Sequence, residues 1–409
     1  MSTRKHADAL PSEGGAGGSG GPDSSLPSGP AIGCTSASPV TAARMPLLDA
    51  MKGLACALIV GHHLARYGPL PAGASALAPG LFEWLAQDGR LAVQVFLVIA
   101  GFLAAGSLAP DGVLRIDRPM LRVMQRYARL VMPYLAALSI SVLAAALVRP
   151  WLIDEVVPPV PGIAQLLAHG LLLQDLLGYE ALSTGVWYVA IDFQLFVLAL
   201  WAIGLSELLQ RRWVLDPKRA RWLAVALVLA LAVSSLAVFN RHAALDSTAL
   251  YFFGAYGLGM LVFWIGRATR RSTWQFAVAL MVLVGAAALA LDWRSRIATA
   301  LVTALLLAVA QRRGGLALGA WPPLVRLGRI SYSLFLIHFP VLLLVSAAVA
   351  RLAPAEPWVD LFGLLATFAL SIAAAMLLYR WVESRPATWR GVLALFAGLL
   401  ACGLMAALG

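Results

Sequence analysis

Charge is scarce in this chain. Of 409 residues only 12% are Asp, Glu, Lys or Arg, about half the share of an ordinary soluble domain. Together with a hydrophobic content of 61%, this excludes a soluble globular protein, because so many apolar residues cannot hide in one core. Cysteine is scarce too. Cys34, Cys56 and Cys402 lie far apart, which excludes a disulfide scaffold and a CxxC metal site. No GxxxxGK[ST] loop is present, so an ATP-driven engine within this chain is not expected. No apolar stretch precedes Leu47. A signal peptide is therefore not expected, and the first apolar block reads as a retained span. Acids are outnumbered, 20 against 31 Lys and Arg. The bases lie mostly in short segments between apolar blocks, which speaks for topology rather than a nucleic-acid partner.

What is present is a series of long apolar blocks. A bilayer core of about 30 Å takes about 20 apolar residues in a helix. Eleven blocks qualify, near 47–66, 91–109, 131–148, 187–206, 222–239, 250–266, 274–291, 297–311, 328–350, 359–380 and 391–408. The expected fold is all-α, a polytopic membrane bundle of about 10–11 transmembrane helices. The stretch 162–178 is apolar but holds His169, Gln174 and Asp175, so it reads as an interfacial or re-entrant piece. Residues 1–43 contain 8 Gly, 8 Ser and 5 Pro and read as a disordered tail, since they bury too little apolar surface to offset ordering entropy. With the N-terminus cytoplasmic, 24 of the 31 Lys and Arg fall on the cytoplasmic side and seven outside. That split obeys the positive-inside rule. Eleven spans then place Gly409 outside.

Polar residues inside apolar blocks are costly and therefore informative. The first span carries Asp49, Lys52, His62 and His63. Lys52 and His63 are eleven residues apart, about 20° beyond three full turns and roughly 16 Å along the axis. One helix face thus holds a cation near its inner end and an imidazole towards its outer end. Lys52 also reads as a snorkelling side chain paired with Asp49. An imidazole titrates near neutrality and suits a proton acceptor in a cavity.

The pattern Leu48-Asp49-x-x-Lys52-Gly53…His63 resembles the first span of the membrane-bound acyltransferase 3 family, in which an arginine is followed by ten residues and a histidine. Lys52 here keeps the charge without the bidentate fork. Further pieces resemble the family in order. They are Gln94 to Leu103, with Ala100 where serine is common, and Arg122, Arg126 and Arg129 before Pro133. Next comes Trp187 to Phe196, with Asp192 in place of glutamate and Phe196 in place of tyrosine. Leu327 to Pro340 follows, containing Ser331, Tyr332 and His338, and then Glu383-Ser384-Arg385-Pro386. The resemblance covers about 44–390 and leaves 391–409 as an additional C-terminal transmembrane helix.

The resemblance implies an O-acyltransferase of the bacterial inner membrane. Its co-substrate would be acyl-CoA, most simply acetyl-CoA. Arg122, Arg126 and Arg129, with Lys52, would grip the cofactor phosphates from the cytoplasm. A glycan or glycolipid acceptor would enter from the outer side, with membrane lipid around it and no metal involved. His63 would take the acceptor proton, with Asp192 orienting it and His62 alongside; a covalent acyl-histidine is the alternative route. Asp49, Trp187, Ser331, Tyr332, His338 and Glu383 are further candidates. Several also have a structural reading: the arginines set orientation, Trp187 anchors at the interface, His338 bonds a neighbouring helix, and Glu383 pairs with Arg385. Asp192 should pair with a base or line a wet cavity. A sugar or lipid-sugar exporter using Asp49, Lys52, His63, Asp192 and His338 as a relay is the rival from another class, and an inactive scaffold is the third reading.

Overall fold

The computed structural model describes residues 45–114, 118–214, 216–317, 320–352 and 356–408. The tail over 1–43, expected to be disordered, lies outside them, as do Arg115 and Gly409. Among the described residues every regular element is helical, and eleven helical stretches are long and apolar enough to cross a membrane. They fall where the apolar blocks lie.

The first span is α1, Pro46–Arg66, followed by the short α2, Leu70–Ala74. The second runs from Pro79 to Leu108 rather than from 91. It consists of α3, Pro79–Asp88, a single tight turn at Gly89–Leu91, and α4, Ala92–Leu108. The third, α5, begins at Pro119 rather than near 131 and runs to Val148. Proline suits a first helical position because its missing N–H would be unpaired there anyway. Arg122, Arg126 and Arg129 thus ride on the first turns of a helix instead of a loop.

The eight-residue α6, Ile163–Gly170, is too short to cross. Pro158 and Pro159 before it and Asp175 and Glu180 after it line one cavity, so this segment dips in and returns on one face. Its tip is pinned by the Tyr127 hydroxyl, which donates to the Gly170 carbonyl at 2.6 Å. Then come α7 (Trp187–Trp213), α8 (Pro217–Ala237), α9 (Ala249–Gly266), α10 (Arg271–Leu291) and α11 (Ser295–Arg312). The short α12 (Pro322–Arg329) leads into α13 (Ser331–Leu352). Last are α14 (Pro357–Leu378), which ends in a π-turn over Tyr379–Glu383, and α15 (Trp389–Leu408).

Lipid is as apolar as leucine, so helices associate through close packing of small residues. Two crossings show this. A side chain at Gly53 would meet the Leu324 carbonyl, and one at Gly328 would meet the Asp49 carbonyl, so α1 and α12 touch backbone to backbone. Likewise Gly101 faces the Tyr256 carbonyl and Gly259 the Val98 carbonyl, which locks α4 on α9. These contacts fix α1 on α12, which leads into α13, and α4 on α9.

Candidate active site

His63 and His338, 275 positions apart, meet in the core. His63 Nδ1 lies 2.7 Å from His338 Nε2, and the rings stack with centroids 4.8 Å apart and 15° between planes. His338 is fully buried and His63 is 5% exposed. The neighbouring His62 turns away; its Nδ1 lies 2.9 Å from the Leu85 carbonyl and must donate to it. Gly185, at φ +81, faces the His63 ring, and a Cβ there would lie 3.3 Å from His63 Cε1 and 2.8 Å from Phe335. Only glycine tolerates both this backbone and this closeness.

His62 and His63 line a cavity of about 1320 Å³. It opens among the connections at the helix ends opposite the arginine cluster. Its wall mixes carboxylates (Asp154, Glu155, Asp175, Glu180), arginines (Arg66, Arg90, Arg294, Arg296) and aromatic rings (Tyr67, Trp187, Tyr251, Trp293). Trp187 is half-buried and stacks on Phe252 at 5.5 Å, and Arg296 donates to the Tyr251 hydroxyl. Asp175 accepts from Gln174 at 2.8 Å, and burial pushes its carboxyl up from the usual range. No residue of the arginine cluster lines this cavity; it reaches inward as far as Ile191.

Asp192 follows Ile191 and points the other way. Arg126 donates to its carboxylate at 2.5 Å, with 6% of the Asp192 side chain and 32% of the Arg126 side chain exposed. Arg126 also lies 5.5 Å over the Phe196 ring. The expectation that Asp192 orients His63 is therefore corrected. The arginine one helix away takes the carboxylate, and the partner of His63 is His338. Tyr188 sits between the two groups, edge-on to Phe335 and within electrostatic reach of both Asp192 and Arg126.

The model of one protein family, described as an acyltransferase domain, matches residues 46–380. The chain belongs to the acyltransferase 3 family. None of the curated proteins and none of the solved structures matches it. The matched region holds both histidines, the arginines and Asp192, and α15 lies beyond it.

The remaining candidates of this membrane acyltransferase sort by place. Lys52 pairs with Asp49 at 2.8 Å, each about a quarter exposed. Glu383 was expected to pair with Arg385. It instead accepts from the Ser333 hydroxyl at 2.6 Å and the Ser333 N–H at 3.1 Å, which caps the open start of α13. The π-turn swings Glu383 onto that helix end and away from Arg385, while Lys52 and Arg129 lie within its electrostatic reach. Ser331 donates to the Gly328 carbonyl at 2.9 Å and Tyr332 to the Leu130 carbonyl at 2.8 Å; both tie α13 in place. Arg122 and Arg129 are exposed and, among the described residues, make no ion pair.

Of the residues that line the cavity, the sequence singles out His62, His63 and Trp187 as candidates and misses the rest, two buried polar side chains among them. Gln94 is buried with no side-chain partner among the described residues, and the buried Ser183 hydroxyl is unpaired; both line the cavity. Gln94 lies within the matched second-span pattern, which was the available signal. Nothing in the sequence marks Ser183.

Proposed function

We propose that this membrane acyltransferase moves an acyl group, acetyl in the simplest case, from acyl-CoA at the arginine-rich face to a hydroxyl of a glycan or glycolipid that enters the opposite cavity. The arginine-rich face is taken as cytoplasmic. Arg122 and Arg129 are free to bind the donor phosphates through charge-assisted bonds, with Arg126 and Lys52 flanking. The acyl thioester passes the Tyr188–Ile191 layer towards the histidines. His63 removes the acceptor proton, the oxygen attacks the thioester carbonyl, and the thiolate leaves with that proton. The acceptor cavity suits a polyhydroxylated ligand, since it mixes aromatic rings with charged and amide groups.

The observation that carries the reading is the buried His63 imidazole facing a wide polar cavity. Intramembrane ionisable groups are costly and mark function. The test is acyl transfer by detergent-solubilised protein from labelled acetyl-CoA to the polysaccharide fraction of the source cells. Turnover without a sealed vesicle is expected of an enzyme and not of an exporter. His63→Ala should lower kcat by about 10²–10⁴-fold, the usual contribution of a general base. A folded His63→Ala protein with full activity sinks the proposal.

A further inference from the structure

We infer that His338 is a positioning residue that holds His63 in the tautomer with its free lone pair on Nε2, turned to the cavity. This deepens the reading of His63 as the base and rests on it.

The two rings form a chain of donors and acceptors with a fixed end. His338 Nδ1 lies 2.7 Å from the Phe335 carbonyl. A carbonyl oxygen only accepts, so His338 Nδ1 carries the hydrogen. A neutral imidazole has one N–H, so His338 Nε2 bears the lone pair. The atom facing it at 2.7 Å is His63 Nδ1, which must therefore donate. The one hydrogen of neutral His63 is thus spent on Nδ1, and Nε2 is left as the acceptor. Among the described residues no hydrogen bond reaches His63 Nε2, nor is it among the buried polar atoms lacking a partner. It therefore opens on the cavity the ring lines.

The fixed end is secure. Phe335 and His338 share one turn of α13, so the carbonyl and the ring that bonds it are carried by one rigid helix. The inner end of the relay is shut off from the cavity, because His338 is fully buried and does not line it. It therefore acts through His63 and touches neither donor nor acceptor. His62, by contrast, has its Nδ1 hydrogen on a carbonyl and no second ring behind it.

The relay also serves the transfer step. When the acceptor O–H proton moves to His63 Nε2, the ring becomes an imidazolium and still donates Nδ1–H to the neutral His338 nitrogen. The acceptor oxygen forms its bond to the thioester carbon, the carbon–sulfur bond breaks, and the departing thiolate takes the proton from Nε2. Both rings end as they began, with no hydrogen lost from His338.

The experiment uses the full chain in detergent, labelled with ¹⁵N-histidine, and three proteins: wild type, His338→Ala and His338→Gln. The first readout is the ¹⁵N spectrum, with His63 assigned by its loss in His63→Ala. The hydrogen-bearing nitrogen of His63 should be Nδ1 in the wild type. His338→Gln should keep it there, because the glutamine amide can donate to Phe335 and accept from His63. In His338→Ala the preference should be lost. The second readout is acetyl transfer from acetyl-CoA to the polysaccharide fraction. His338→Ala should lower kcat by about 10²-fold or more, as when the orienting partner of a base is removed. KM for acetyl-CoA should hold, and His338→Gln should recover most of the rate. A hydrogen on Nε2 in the wild type, or equal spectra and rates for the Ala and Gln variants, overturns the inference. Should His338→Ala fail to fold, the wild-type and Gln spectra decide it alone. An Nδ1 hydrogen combined with an active His63→Ala would uphold the tautomer and reject the base reading, so the two fail separately.

Discussion

At the scale of single residues, the ion pair of Arg126 and Asp192 makes the sharpest energetic statement. Two charges inside a bundle stabilise little as a pair, but removing one strands the other. Arg126→Leu should destabilise the protein by about 3 kcal/mol, the low end for a broken buried pair, because a third of the arginine side chain is open. Arg126→Leu with Asp192→Leu should be less damaging than Arg126→Leu alone. Thermal melting in detergent compares them, and a double variant that melts lower than the single one contradicts the pairing. Arg122→Ala should leave melting unchanged and Arg129→Ala should change it little, since among the described residues neither makes an ion pair and Arg129 only lies within electrostatic reach of Glu383. Each should raise KM for acetyl-CoA about tenfold or more, the value of a charge-assisted bond. The requirement that Asp192 find a base or a wet cavity was legible, because a lone carboxylate in a span is costly. Which base it finds was not. Arg126 is 66 positions away, and helical spacing ranks residues on one helix without saying which helices touch. The His63–His338 pair was hidden for the same reason.

At the scale of elements, the apolar blocks announced the spans and the breaks between them stayed silent. The tight turn at Gly89 follows from tertiary contact, since a Cβ there would press on His62. The early start of α5 was missed because arginines in an apolar count look like a loop. The re-entrant hairpin around α6 was legible only as an exception, an apolar stretch with three polar residues. Its structure gives those residues work. His169 Nδ1 donates to the Gln165 carbonyl at 2.9 Å, and its Nε2 accepts from the Leu182 N–H at 3.2 Å. That bond holds the strip from Glu180 to Gly185 against the cavity, next to His63. Burial lowers the His169 pKa from 6.5 to about 4. The folded protein thus keeps the ring neutral where the unfolded chain would bind a proton. Its contribution is full above pH 6.5 and is lost as pH falls from there towards 4. Protonation would also set two hydrogens face to face at Leu182. The amide protection of Leu182, corrected for intrinsic exchange, should therefore fall over that window. His169→Gln should show no such window; a wild-type protection that stays flat to pH 4 defeats the assignment.

At the scale of the whole molecule, charge and cavity arrange themselves on opposite faces. Arg122, Arg126 and Arg129 stand at the start of α5 and the cavity gathers the connections beyond its end, so donor and acceptor would approach from different sides of one membrane. Each span reverses direction, and the re-entrant hairpin adds no crossing, so the loop after α11 and the loop after α5 must lie on opposite faces. On the proposed orientation, which the positive-inside bias supports, the first is cytoplasmic. In a variant with Cys34, Cys56 and Cys402 replaced by alanine, a single cysteine at Arg313 or at Asp154 reads this directly. A membrane-impermeant maleimide applied to intact spheroplasts should label Asp154→Cys and spare Arg313→Cys until the membrane is opened. Labelling of both in intact spheroplasts would mean that the helix count is wrong. Labelling of Arg313→Cys alone would mean that the bundle is inverted, and an acyl-CoA made in the cytoplasm would then meet the acceptor cavity instead of the arginines. The two-sided mechanism needs the first outcome. A histidine relay at the end of α1, buried at His338 and open at its cavity-side nitrogen, can serve an acceptor from that side only if the thioester is delivered from the other.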